Sequence, residues 1–186
     1  MKAHDRHAIV IAPIGDFAPE LMDAVDRGIQ RAFGLATAVR PILPSLDFAF
    51  DSTRAQYHST PILEKLSAAA SAGAIKVLAL ADVDLFIPIL THVFGEAQLG
   101  GKACIVSTYR LNAPAGGCHH PEQAVGRVVK EAIHELGHTF SLRHCRDPAC
   151  IMHYCRSEAD VDRKSTELCR YCRVMLNDEL KRITEW

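Results

Sequence analysis

His134-Glu135-Leu136-Gly137-His138 sets two imidazoles four residues apart, with a carboxyl beside the first. On a helix, side chains at i and i+4 share a face, so both rings can reach one zinc ion at about 2.0–2.1 Å. A glutamate placed there can take a proton from a zinc-bound water and pass it to a leaving amine. Alone, the pentapeptide also fits two surface histidines beside a solvated glutamate. His144 separates the readings: it follows His138 by six residues, where a helix that ends and turns sharply brings a third imidazole to the same metal. Three histidines leave zinc the open position that catalysis requires.

The cysteines suggest a second metal. Five of the seven, Cys145, Cys150, Cys155, Cys169 and Cys172, crowd the C-terminal quarter. Without a secretory signal a disulfide framework is disfavoured, and clustered thiols more often hold a metal. Cys145-x4-Cys150 and Cys169-x2-Cys172 are two spaced pairs; four thiolates close a tetrahedral zinc site, which is structural because no position remains for substrate. The plainer alternative is incidental core cysteines. Cys155 reads as packing or as a weak competing ligand, Cys104 as core and Cys118 as loop. Cys118-His119-His120 has ligand types but reads better as a polar loop ahead of a helix. Since Cys145 directly follows His144, a metal there would anchor the chain that carries the third histidine.

These groups need a scaffold. Ala8 to Ala12, ended by Pro13 and Gly15, is a short buried strand, and Leu21, Met22, Val25, Ile29 and Phe33 recur at helical spacing up to Gly34. Ala36 to Ile42 reads as a second strand, 62–70 as a second helix and Ile75 to Ala81 as a strand covered on both faces. Residues 45–59 show no clear period. Val93 to Leu99 and Lys102 to Tyr109, about Gly100-Gly101, form an antiparallel hairpin, and Leu111 to His120 a loop. Pro121 opens a long helix to about Phe140. At 100° per residue Val125, Val129, Ala132 and Leu136 share one face, with His134 and His138 opposite, in line with Arg127, Lys130 and Glu131. The expected fold is α+β: a mixed twisted sheet with helices, α/β-like in its N-terminal lobe, without a Rossmann fingerprint.

Lys+Arg at 21 against Asp+Glu at 22 leaves a formal charge of −1, which argues against general nucleic-acid binding, since that needs a basic face. No apolar run suits a membrane span and the first residues do not form a signal peptide, so the expectation is a cytoplasmic monomer. With 48% hydrophobic and 23% charged residues the chain is an ordinary globular one.

The pattern HExxHxxSxxH resembles the metzincin metalloproteases, whose motif is HExxHxxGxxH. Ser141 stands where that glycine would leave the helix at positive φ, a conformation that costs serine about 1 kcal/mol unless its hydroxyl caps a helix carbonyl. Followed by Cys145-x4-Cys150-x-Met152 and Cys169-x2-Cys172, the motif is similar to that of the archaemetzincins; the gap from Met152 to Cys169 is one residue shorter than their usual spacing. Phe94-Gly95-Glu96 to Gly101 looks like that family's rim strand above the cleft. The resemblance implies one compact metzincin-like domain over 1–186: an N-terminal lobe (1–140) with the active-site helix, and a small zinc-stapled C-terminal lobe (141–186). It implies two zinc ions per chain, a catalytic one on His134, His138 and His144 and a structural one on Cys145, Cys150, Cys169 and Cys172. It makes Met152 the Met-turn residue, a soft floor beneath the imidazoles. Ile151-Met152-His153-Tyr154 also resembles the turn of the astacin and serralysin branches, which makes Tyr154 a transition-state stabiliser. The expected reaction is peptide-bond hydrolysis with Glu135 as general base and acid, on a peptide or protein held along the edge of 92–99. Arg127, Lys130 and Glu131 line the helix face or form a solvated surface. The alternatives are a non-peptide amidase and a zinc-binding regulatory protein that retains the site.

Overall fold

The structure, a computed structural model, describes residues 8–112 and 121–184. Its frame is a five-stranded sheet in the order β2-β1-β5-β8-β7. The apolar run β1 (Ala8–Ile14) pairs in parallel with β2 (Thr37–Val39) and with β5 (Ala74–Ala81). Next to β5 lies β8 (Ala103–Ser107), again parallel, and β7 (Gly95–Ala97) closes the edge antiparallel to β8. The expected hairpin is therefore present, with its first strand shortened to three residues.

Successive residues of a strand face opposite ways, and both faces of this sheet are apolar. Ile9, Ile11, Leu78 and Leu80 pack under α1 (Pro19–Phe33) and α3 (Pro121–Thr139), while Val10, Ala12, Val77 and Ala79 pack under α2 (Ser59–Ala69). Residues 45–59 had no legible period because they contribute fragments: a 3₁₀ turn (Asp47–Ala49), β3 (Phe50–Asp51) and β4 (Gln56–His58). With β6 (Leu85–Phe86) these strands form a second, three-stranded sheet. The C-terminal part adds α4 (Glu158–Arg163), opened by a capping box between Ser157 and Asp160, and α5 (Arg170–Thr184). The segment Cys118-His119-His120 lies outside the described residues. Cys104, expected in the core, is fully buried.

The helical wheel of α3 needs one correction. The helix is enclosed on nearly every side from Glu131 onward; Ala132 and Leu136 of the expected stripe are fully buried together with Val128, whereas Val125 and Val129 are half-buried. Arg127 and Glu131 do not form a solvated face. Arg127 is 2% exposed and its guanidinium pairs with Asp162 at 2.7 Å, and Glu131 pairs with Lys164 at 2.7 Å. Lys130 donates to the carbonyls of Val161 and Asp162, both at 2.9 Å. Burial of these polar groups follows from α4 and the loop after it covering that side of the helix, a contact no helical wheel contains.

Helix α3 ends in a paired-hydrogen-bond motif: Leu142 N–H reaches the Gly137 carbonyl at 3.1 Å and Ser141 N–H the His138 carbonyl at 3.0 Å. The residue turned left-handed to allow this is Ser141, at φ 65°. Lys76, buried on β5, donates to the last helical carbonyl, Thr139 O, at 2.6 Å and to Gly101 O at 2.7 Å, tying the hairpin turn to the helix end. Ser141→Gly is expected to raise stability by about 0.5–1 kcal/mol, since glycine adopts positive φ without Cβ strain. Denaturant midpoints of the two proteins measure it, and a destabilised, metal-poor variant would show that the hydroxyl holds the turn.

Candidate active site

His134 and His138 project from α3 with their Nε2 atoms 3.1 Å apart, and their rings stand perpendicular. After the turn at Ser141, His144 comes back to the same point: its ring centre is 5.3 Å from that of His134 and 4.8 Å from that of His138. In the two helical histidines Nδ1 faces a backbone carbonyl, Ile151 O at 2.8 Å and Leu142 O at 2.7 Å. A carbonyl accepts only, so the proton sits on Nδ1 and the Nε2 lone pairs face one another. All three rings are held neutral. Burial lowers the pKa of His134 well below its ordinary value and that of His138 to about 4, and shifts His144 in the same direction. Neutral imidazoles with free Nε2 atoms gathered at one point are the donor set that zinc takes.

Glu135 lies beside this cluster under the rim strand. A Cβ on Gly95 would stand 2.7 Å from the Glu135 Cγ, so β7 approaches this closely only because residue 95 has no side chain. Burial pushes the carboxyl of Glu135 well above its usual range, helped by the negative Glu131 and Glu96 and opposed by Lys164. Met152 is fully buried against the other face of the helix, where a Cβ on Gly137 would stand 2.5 Å from its sulfur. The Tyr154 ring lies 4.9 Å from that of His144 and is 43% exposed.

These groups share a cavity of about 490 Å³. Its rim is Ile87 and the stretch 90–97, and its floor is His134, Glu135, His138 and His144. Glu131, Tyr154, Cys155 and Arg156 line the rest. Cys155 thus borders the cavity and stays out of the thiol cluster.

Sequence reasoning assigned no role to Lys164. Its side chain is fully buried, paired with Glu131 and 3.4 Å from His134 Nδ1. Its charge adds to burial in keeping the three imidazoles unprotonated. The only sequence hint is a lysine just after the capped α4, which is no signal for burial.

Cys145, Cys150, Cys169 and Cys172 form the second cluster, with all four sulfurs within 4.8 Å of one another. Cys145 and Cys169 approach to 3.7 Å, and the Cys169 N–H donates to the Cys150 sulfur at 3.3 Å. Cys169 precedes α5 and Cys172 lies in its first turn. The Cys169 thiol is lowered, chiefly by a backbone hydrogen bond at Cys172, while burial raises those of Cys150 and Cys172. Four sulfurs at these separations fit a tetrahedral zinc, so both donor sets suit the metal.

Fold and site together define a zinc-dependent metallopeptidase. Residues 43–178 match the family model described as peptidase family M54, and the chain belongs to that family. It is 34% identical over 174 residues to the archaemetzincin of Methanocaldococcus jannaschii, covering 91% of this chain and 93% of that one. The archaemetzincin of Methanopyrus kandleri is 41% identical over 136 residues, covering 73% and 74%. The crystal structure of that M. kandleri protein superposes with a TM-score of 0.83 at 33% identity, over 97% of this chain and 99% of that one. A zinc-dependent peptidase from Methanocorpusculum labreanum superposes with a TM-score of 0.81 at 30% identity, over 91% and 100%. Among the described residues no helix is long and apolar enough to cross a membrane.

Proposed function

We propose that the chain hydrolyses peptide bonds, with His134, His138 and His144 holding a catalytic zinc and Cys145, Cys150, Cys169 and Cys172 a structural one. The carrying observation is the convergence of three neutral imidazoles beside a buried glutamate, on a cavity bordered by a free strand edge. Zinc so held supplies a Lewis acid and makes water acidic enough to react near neutral pH.

Glu135 accepts the proton of the attacking water and delivers it to the departing nitrogen. Burial suits it to both steps, since a carboxyl with a raised pKa takes up a proton readily and still gives it to an amine. The outer edge of β7, last in the sheet, pairs with an extended peptide and lays its carbonyl over the histidines. The chain works as one unit over 1–186, because the histidines straddle residue 140 and Met152 packs back on Gly137.

Tyr154, whose ring lies against that of His144, donates its hydroxyl to the oxygen that gains charge in the transition state. Tyr154→Phe is expected to lower kcat about ten- to a hundredfold, with zinc content and KM retained. Unchanged turnover on a good substrate would remove this role.

The decisive experiment is cleavage profiling of the zinc-loaded chain on a diverse peptide library, beside Glu135→Ala at equal zinc content. Cuts made only by the wild type establish the peptidase. Binding without Glu135-dependent cuts would favour a zinc-binding regulatory protein, and hydrolysis of only non-peptide amides an amidase.

A further inference from the structure

Of the three carboxyls that line the cavity, only Glu131 has a counter-ion among the described residues, Lys164, and Glu135 is the buried group with the raised pKa; elsewhere in the fold Asp84 pairs with Arg110 and Asp162 with Arg127. The third is Glu96. It is half-buried on the rim strand and lines the cavity, yet among the described residues no Lys, Arg or His forms an ion pair with it. Among the described residues the one hydrogen-bond partner of its carboxylate is Thr60 at the start of α2, whose hydroxyl is 2.9 Å from Oε1 and 3.1 Å from Oε2. A hydroxyl has a single hydrogen to give, so the carboxylate keeps most of its acceptor capacity. Thr60 fixes its direction and leaves its charge unbalanced. The same charge is among the causes that raise the Glu135 carboxyl, so Glu96 lies within electrostatic reach of the reacting centre.

Strand geometry says which part of a substrate meets it. Gly95 faces Glu135 and Ala97 packs against the core on the α3 side, so Glu96, between them, faces the α2 side. A peptide added to the outer edge of β7 alternates its side chains with the same period. Every second residue of that peptide is on the Glu96 side, away from the imidazoles.

We propose that Glu96 selects a cationic group on the substrate, the ammonium or guanidinium of a side chain on that face or a free N-terminal amine. This rests on the peptidase reading above and adds a substrate class to it. A bound cation supplies the counter-charge that Glu96 lacks and offsets the repulsion Glu96 exerts on Glu135. The competing account is that Glu96 only secures the first turn of α2 through Thr60, in which case substrate charge is irrelevant.

The probes are alanine-based octapeptides, amidated and N-acetylated, with one lysine walked through the sequence against norleucine at the same position. A further norleucine peptide is left unacetylated. Each is measured twice: as kcat/KM on the zinc-loaded chain, and as equilibrium binding to zinc-loaded Glu135→Gln. The binding arm reads the preference even if nothing is cleaved, so failure of this inference is distinguishable from failure of the peptidase reading. Lysine at one or two alternate positions, or the free amine, is expected to be favoured about five- to thirtyfold, and less so at high salt. An internal lysine identifies a side-chain site; an effect confined to the unacetylated peptide identifies the terminal amine. The ratio of cationic to neutral probe should fall below about twofold in Glu96→Gln, which keeps an acceptor for Thr60, and shift toward glutamate probes in Glu96→Lys. No preference for a cation, or the same preference in Glu96→Gln, overturns the proposal.

Discussion

Glu135→Gln is expected to lower kcat on any cleaved peptide by about 10²–10⁴-fold while zinc remains bound. Glutamine has nearly the volume of glutamate, so the close contact with Gly95 survives and β7 keeps its height above the helix. The two helical imidazoles keep their carbonyl partners, because Ile151 O and Leu142 O hold them independently of residue 135. What disappears is a group that can hold a proton between water and the leaving nitrogen, and an amide side chain does not exchange one at neutral pH. Metal analysis and steady-state kinetics on the same preparation read the two quantities together. Full turnover at full zinc content would remove Glu135 as the base, and a parallel loss of zinc would show that its role is to support the site.

Cys169→Ser should affect more than its own cluster. Binding of a structural zinc is worth about 10–16 kcal/mol in small domains, comparable to the whole stability of a chain this size. Two short segments carry the coupling. His144 is followed by Cys145, whose N–H bonds to Met152 O at 2.8 Å and whose carbonyl accepts from His153 Nδ1 at 3.0 Å. Cys150 is followed by Ile151, whose carbonyl orients His134, and by Met152 under Gly137. Releasing the four sulfurs therefore loosens the third histidine, the partner of the first, and the floor beneath the helix.

The expected result is a loss of zinc greater than the one ion the cysteine cluster would hold, a large drop in thermal midpoint and loss of activity. Zinc titration beside circular dichroism measures this. Clean loss of one zinc with undiminished activity would show the sites to be independent.

Much of the chemistry was legible because it is local in sequence. The two helical histidines and Glu135 are set by the period of one helix, and His144 by a turn that the spacing already implied. The cysteine pairs were legible from their spacing. The strands β1 and β5 were readable because both faces are buried, which leaves continuous apolar runs. Where elements are two or three residues long, as in β3, β4 and β6, no period can accumulate and pairing partners far along the chain decide them.

Ser141 is a mixed case: the motif located the left-handed turn, while the structure supplied the two hydrogen bonds that hold serine there. The helical wheel of α3 misjudged Arg127 and Glu131 for a related reason. Whether a polar residue on a helix meets water or a counter-ion depends on what packs over it, and Asp162 and Lys164 arrive from more than thirty residues away. Sequence alone thus brought out the two donor sets that could hold a metal and the glutamate beside the first, since ligand chemistry and helical spacing are properties of a few neighbouring residues. Tertiary structure alone decided the neutrality of the imidazoles, the buried lysine beside them and the unbalanced carboxylate on the rim, because burial and charge balance are set by distant segments meeting in space.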